Sequence, residues 1–265
     1  MEHITTLSLH LESRNLSEGG LSQPFSLGPM LQSVLLEQVD GFYAQQLHAS
    51  IQNPYSQYCY VSDDGDLVWL ISVLTDEAAK YLIEPASKIE TFTLKNIDGT
   101  FSVARRKIDS FGIDHLLSKL QGDSDSSFRL RFVTPTSFKS KGHYVIMPDV
   151  HLIFQNLLMR YNQVYAGDNE IDSETLEYIT EHVRITSYNL RSKYYPRTMA
   201  KADKIPAFTG SLTIHVTGPQ SLRGLVSMLL TFGEASGVGI KTSMGMGGMQ
   251  LVKNMPVRKG GVSGR

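Results

Sequence analysis

The residues of this chain best suited to chemistry lie near its end, in the run Gly237-Val238-Gly239-Ile240-Lys241-Thr242-Ser243-Met244-Gly245-Met246-Gly247. The spacing is Gly-apolar-Gly, five residues, then Gly-apolar-Gly, and six glycines fall from Gly233 to Gly248. Such a density calls for a backbone that reaches positive φ or comes close to another group. Lys241, Thr242 and Ser243 place one cation and two hydroxyls at its centre. Exposed backbone N–H groups around a lysine form a cradle for phosphate oxygens; the plain alternative is a structural loop joining helix to strand. Two nucleotide motifs are excluded. Lys241 follows Ile240 where a Walker loop demands Gly-Lys-Ser/Thr, and Thr242 stands where the dinucleotide fingerprint has a glycine.

Other side chains suit a polyanion rather than a metal. Lys139 and Lys141 flank Ser140 beside a Thr-Pro-Thr turn. Arg191, Lys193, Tyr194, Tyr195, Arg197, Lys201 and Lys204 interleave cations with aromatics, an arrangement that neutralises a nucleic-acid backbone while stacking bases. A solvated basic loop is the bland reading of the same run. Metal spacings are missing: His143 and His151 stand eight apart, with no His-Glu-x-x-His and no paired cysteines. The single cysteine, Cys59, excludes an internal disulfide and fits a reducing cytosol, so the expected location is cytoplasmic. No secretory leader opens the sequence, and its longest apolar run, Leu67 to Leu74, is too short to span a bilayer.

The formal net charge of −1 conceals a division. Residues 1–125 carry 8 Lys/Arg against 17 Asp/Glu, and residues 126–265 carry 17 against 9. From Arg184 onward, 12 basic residues face only Asp203 and Glu234. This asymmetry predicts a polyanion footprint on the second half, or a basic half docked on an acidic one.

The elements that must hold these groups can be read from periodicity. Leu7, Leu9 and Leu11 alternate along a strand at 4–11. Pro29 opens a helix carrying Leu31, Val34 and Leu35, with Gly41 interrupting it before His48. Tyr58–Val61 and Leu67–Leu74 flank Asp63-Asp64-Gly65-Asp66, a hairpin turn. A short helix over 76–82 and a strand over 89–94 close a β-α-β-β-α-β order, and residues 100–120 add a hairpin arm and a helix. Residues 121–127 form a polar linker. A second β-α-β-β-α-β order follows, with a strand from Phe128, helices over 150–161 and 173–182, and strands at 185–191 and 208–216. A helix through Leu222 and Leu230 and a strand at Met249–Val252 complete it. The expected class is α+β, with one domain over 1–125 and a second over 126–265.

The glycine spacing before the last strand resembles the signature of the CRISPR RAMP superfamily. Within it, the chain is similar to the repeat-processing endoribonuclease, the sixth Cas protein, of the type III variety. Phe132-Val133-Thr134-Pro135-Thr136-Ser137-Phe138-Lys139-Ser140, Gly142 to Pro148, Ile205 to Gly210 and Leu229 to Glu234 carry the likeness, over about residues 130–252. Leu47-His48 and Asn53-Pro54-Tyr55 carry it in the first half.

The resemblance implies two tandem ferredoxin-like domains with RNA lying against both. It implies cleavage of CRISPR precursor RNA without metal or other cofactor, by in-line attack of a 2′-hydroxyl that leaves a 2′,3′-cyclic phosphate and a 5′-hydroxyl. Partners would be CRISPR repeat RNA and, for the product, a type III effector complex; the protein would act as a monomer or homodimer, away from membranes. His48 matches the family's catalytic histidine, and a histidine can take or give protons near neutrality. A histidine ending a helix, where the dipole favours it, is the plain alternative. Two positions depart from the family: Leu36 stands where a tyrosine is frequent and Pro54 where a lysine is. Tyr43 and Tyr55 are therefore the candidate partners of His48. Lys139, Lys141, Arg191, Lys193, Arg197, Lys201 and the loop residues Gly237, Gly239, Lys241, Thr242, Ser243, Gly245 and Gly247 are the candidate RNA contacts. A non-catalytic RNA-binding subunit, or a backbone subunit of an effector complex, is the rival function.

Overall fold

The first strand, β1 (His3–Ser13), alternates buried and less buried positions, with Leu7, Leu9 and Leu11 in the core. The computed structural model describes residues 2–13, 23–50, 52–94, 97, 99–122, 124–167, 170–196 and 204–252. A 3-10 turn at Pro24–Leu27 leads into α1 (Gly28–Glu37). The helix ends there, a turn follows at residues 38–40, and a second helix begins, α2 (Gly41–Ala49), capped by the Asp40 carboxylate, which accepts from the Phe42 amide at 2.9 Å. Such a cap satisfies a donor that every helix start leaves open, so the interruption expected at Gly41 is a fresh helix start.

β2 (Tyr55–Val61) and β3 (Leu67–Val73) form the expected hairpin. Two helical turns, α3 (Asp76–Ala78) and α4 (Glu84–Ala86), flank a π turn at Ala79–Ile83. β4 (Thr91–Leu94) and β5 (Gly99–Gly112) complete a sheet of order β2-β3-β1-β5-β4. One expectation is corrected here. The run at 89–94 does not close the β-α-β-β-α-β unit; β4 is an added edge strand pairing with β5. β5 takes the closing place beside β1, which it matches from His3 to Ser13. The reason is length, because a four-residue strand cannot satisfy the backbone of a long central one.

α5 (Ile113–Gln121) precedes the second sheet. β6 (Ser127–Thr136) is followed by a small hairpin, β7 (Phe138–Ser140) and β8 (His143–Val145). Then come α6 (Val150–Tyr165), α7 (Ser173–His182), β9 (Val183–Pro196), β10 (Lys204–Val216), α8 (Gln220–Ser236) and β11 (Met249–Val252). The order β11-β6-β10-β9 is that of an antiparallel ferredoxin-like sheet. β9 and β10 run well beyond the expected 185–191 and 208–216, as a long paired ribbon. The protein is thus α+β, with two ferredoxin-like units in tandem.

The units share apolar packing. Ile4, Leu74 and Leu116 from the first half join the core of the second, with Phe132, Phe154, Leu229 and Val238 among its members. The linker helix α5 lies on α8, where a Cβ added at Gly224 would come within 2.7 Å of the Lys119 carbonyl. Ser56 donates to the Ala235 carbonyl at 2.6 Å, and the Tyr165 hydroxyl to the Leu74 carbonyl at 3.0 Å. Among the described residues no helix is long and apolar enough to cross a membrane.

Candidate functional site

The glycine loop, entered from the end of α8, is wedged between the two units. Gly239 lies at φ 89, and a Cβ there would meet the Ser137 carbonyl at 2.4 Å. Gly247, at φ 71, would meet the Val238 carbonyl at 2.1 Å. Only glycine satisfies both the backbone angle and the space at these points. Ile240 donates to Ser137 O at 3.0 Å, Gly247 to Pro135 O at 3.1 Å and Val238 to Gly247 O at 2.9 Å. The Asn156 carbonyl of α6 accepts the Gly239 amide at 2.7 Å. The amides of Met244, Gly245 and Met246 also donate within the protein.

These bonds correct the phosphate-cradle expectation. Gly237, Gly239, Gly245 and Gly247 are buried, and their amides are used in holding the loop. What the loop offers a ligand is the side chains of Lys241 and Ser243, both part-exposed. Lys241 stands in the left-handed region at φ 55, ψ 38, just before a 3-10 turn at Thr242–Met244. Its ammonium reaches the Met244 sulfur at 3.6 Å.

An arginine that periodicity alone did not single out anchors the junction. Arg160 of α6 is buried, yet it donates to the Thr242 hydroxyl and, at 3.0 Å, to the Tyr55 carbonyl. A longer bond of 3.4 Å reaches the Asn53 carbonyl. Burial pulls its pKa down to about 10, which leaves it cationic at neutral pH. One sequence signal was available: a cation at position 160 within a helix face set by Leu157 and Tyr161. Gln57 is a second such clamp, donating to Gly28 O at 2.9 Å and Ser243 O at 3.1 Å while accepting from Trp69 at 2.9 Å.

His48 is exposed on the last turn of α2. Both candidate tyrosine partners are buried instead. Tyr43 stacks on Tyr81 with ring centroids 4.5 Å apart, and burial pushes its phenol up to about 12. Tyr55 is fully buried with a raised pKa, its hydroxyl accepting from Gln32 at 3.1 Å. Neither phenol is placed to meet an RNA on the surface, so this geometry speaks against both as direct partners. Leu36 packs against the core and Pro54 precedes β2. Cys59 is buried core, its thiol pushed up by burial.

The predicted RNA contacts divide into two places. Lys139, Lys241, Thr242 and Ser243 line one cleft of about 440 Å³, together with Asn53 and Arg160. Among the described residues three cations line it and no carboxylate does. Arg191 instead lines a larger groove of about 720 Å³ between the second sheet and the first unit, whose Phe25 and Tyr60 form part of its wall. Arg129 and Arg131 converge there from β6, across from Asn189 and Ser211. Lys193 and the exposed Tyr194 lie further along β9, beside Lys204. Lys141 sits at the exposed tip of the β7–β8 hairpin at φ 48. Arg197 and Lys201 fall outside the described residues. Among the described residues, no group of three His, Cys, Asp or Glu side chains is disposed to hold a metal ion.

Comparison with known proteins gives one consistent answer. The family model described as CRISPR-associated endoribonuclease Cas6 matches residues 130–249. A CRISPR-associated endoribonuclease Cas6 from Streptococcus thermophilus is 38% identical over 218 residues, covering 82% of this chain and 88% of the relative. One from Mycobacterium tuberculosis is 33% identical over 261 residues, covering 97% and 81%. Among solved structures, a Cas6 product complex superposes with a TM-score of 0.74 at 22% identity, over 94% of this chain and 99% of that one. A Cas6 from Thermus thermophilus gives 0.71 at 21% identity, over 95% and 99%. At these identities the likeness is one of fold, and it extends over nearly the whole of both chains.

Proposed function

This chain belongs to the CRISPR-associated endoribonuclease Cas6 family, and from that premise we propose that it cuts CRISPR precursor RNA within each repeat to release guide RNAs. Residues 1–125 present His48, and residues 126–265 hold the RNA through their excess of cations. The 2′-oxygen upstream of the cut attacks phosphorus as its proton leaves. The bond from phosphorus to the 5′-oxygen breaks, and His48, as general acid, protonates that oxygen. The products are a 2′,3′-cyclic phosphate and a 5′-hydroxyl, with no metal taking part. Charge that builds on the phosphorane is offset by Lys241 and Lys139. The buried Tyr43 and Tyr55 shape the site without touching substrate, and the 2′-proton passes to solvent.

One observation carries this reading. The exposed His48 lies four residues before Gln52, which lines the carboxylate-free cleft of Lys139, Arg160 and Lys241. Four residues span at most about 14 Å, so the proton donor and the cluster of positive charge are close enough for one short stretch of RNA to meet both.

The test incubates wild type and His48→Ala with labelled repeat RNA in EDTA and maps the ends. A single cut with a cyclic-phosphate end, slowed on the order of 10²–10⁴-fold in the variant, is the expected result. Tight binding without cutting by the wild type would instead make the protein an RNA-binding subunit. Cutting at full rate by the variant would remove His48 from the mechanism.

A further inference from the structure

The cleft beside the glycine loop holds more than a phosphate needs. Besides its cations, it is walled by Phe138, Met159 and Met244 and faced by the amides of Gln52, Asn53 and Gln155. Five buried side-chain polar atoms lack a protein partner among the described residues. Three of them, Gln52 Oε1, Asn53 Oδ1 and Arg160 Nε, belong to residues that line this single cleft. Buried polar atoms are almost always satisfied in native proteins, so a cluster of exceptions points to a ligand that completes them.

The unmatched set specifies that ligand. Two atoms are acceptors and one is a donor. A phosphate has acceptors for Arg160 but no N–H for the amide oxygens. A nucleobase with an exocyclic amine has two N–H donors beside a ring acceptor, on a flat apolar body that suits thioether and aromatic walls. Uracil lacks the amine. The cleft's volume, about 440 Å³, is that of a small-ligand site.

We propose that this cleft is a base-selective pocket taking one unpaired nucleotide of the repeat, adjacent to the phosphate at His48, and accepting amine-bearing bases while rejecting uracil. This rests on the RNA-cleavage reading above. Gln52 and Asn53 are its specificity-determining residues, and Arg160 fixes the floor by tying the loop at Asn53 to Thr242. The stretch between His48 and Gln52 keeps pocket and cut within a few nucleotides of each other.

The experiment is a scan of the repeat RNA made uncleavable by a 2′-deoxy sugar at the cut. Each non-uridine position is changed singly to uridine, and then to an abasic site, and affinity is measured by titration. One position near the cut should lose about tenfold or more on either change. In Gln52→Leu the uridine penalty at that position should vanish, with the parent RNA bound as weakly as the substituted one. A flat uridine scan with wild type overturns the proposal, whether or not the variant folds. So does a penalty that persists undiminished in a folded Gln52→Leu protein. Cleavage of the ribose RNA is followed alongside, so loss of the nuclease reading shows separately: selectivity at one position without any cutting keeps the pocket and sinks the enzyme.

Discussion

Lys241 combines a charge with a costly backbone, and the two can be separated. A left-handed conformation costs an L-residue roughly 1–2 kcal/mol, which glycine avoids. Lys241 holds φ 55 and ψ 38 because the loop on either side is fixed to Ser137 and Pro135. Lys241→Gly should therefore raise stability by about 1 kcal/mol in urea unfolding while weakening RNA binding severalfold. Lys241→Ala should weaken binding equally without the gain in stability. Equal stabilities for the two variants would show that the backbone is relaxed. At this scale the sequence is informative about which residues carry charge, and much less about which are reachable. Tyr43 and Tyr55 sit near His48 along the chain, yet a helix face and a strand face turn both phenols inward. Arg160 shows the opposite error, since a cation on an amphipathic helix is easily read as solvated until its partners are seen.

Elements reveal where periodicity succeeds and where pairing decides. Helices α6 and α8 follow from apolar spacing alone, because one stripe must face a sheet. The exchange of roles between β4 and β5 is invisible at that level. The middle of β5 is charged and exposed, so apolar spacing does not mark it as the closing strand, and only the demand of β1 for a long partner selects it. The junction of α8 and β11 yields a test in pH. The Glu234 carboxylate accepts the Leu251 amide at 2.7 Å, and burial holds its pKa above the ordinary 4.5. As pH rises, the unfolded chain releases this proton before the folded one does. Glu234 thus favours folding below the unfolded pKa, and that contribution is lost as pH climbs through the higher folded value. Glu234→Gln should flatten the fall in unfolding midpoint from about pH 4 to pH 7. An unchanged slope would place the pH dependence elsewhere.

The whole molecule is a dipole of composition, acidic before residue 126 and basic after it. The division was legible in the sequence; the convergence of Arg129, Arg131 and Arg191 on one sheet face was not, because strand register produces it. Each phosphate neutralised on a single strand adds about 0.7 to the slope of log affinity against log salt. Replacing all three arginines by glutamine should reduce that slope by up to about 2. The full value is not expected, since Arg131 already pairs with Asp63 at 2.9 Å. A slope that does not move would take RNA off this face. The shared core has a consequence for synthesis as well. On the ribosome the first unit emerges with Ile4 and Leu74 exposed, because most of the core cluster they join, Phe132, Val238 and Met249 included, is translated later. The nascent chain carries that apolar patch until the second unit follows it out of the exit tunnel. Expression of the first unit alone would freeze it in that state, so the two units are inherited, and must be engineered, as one.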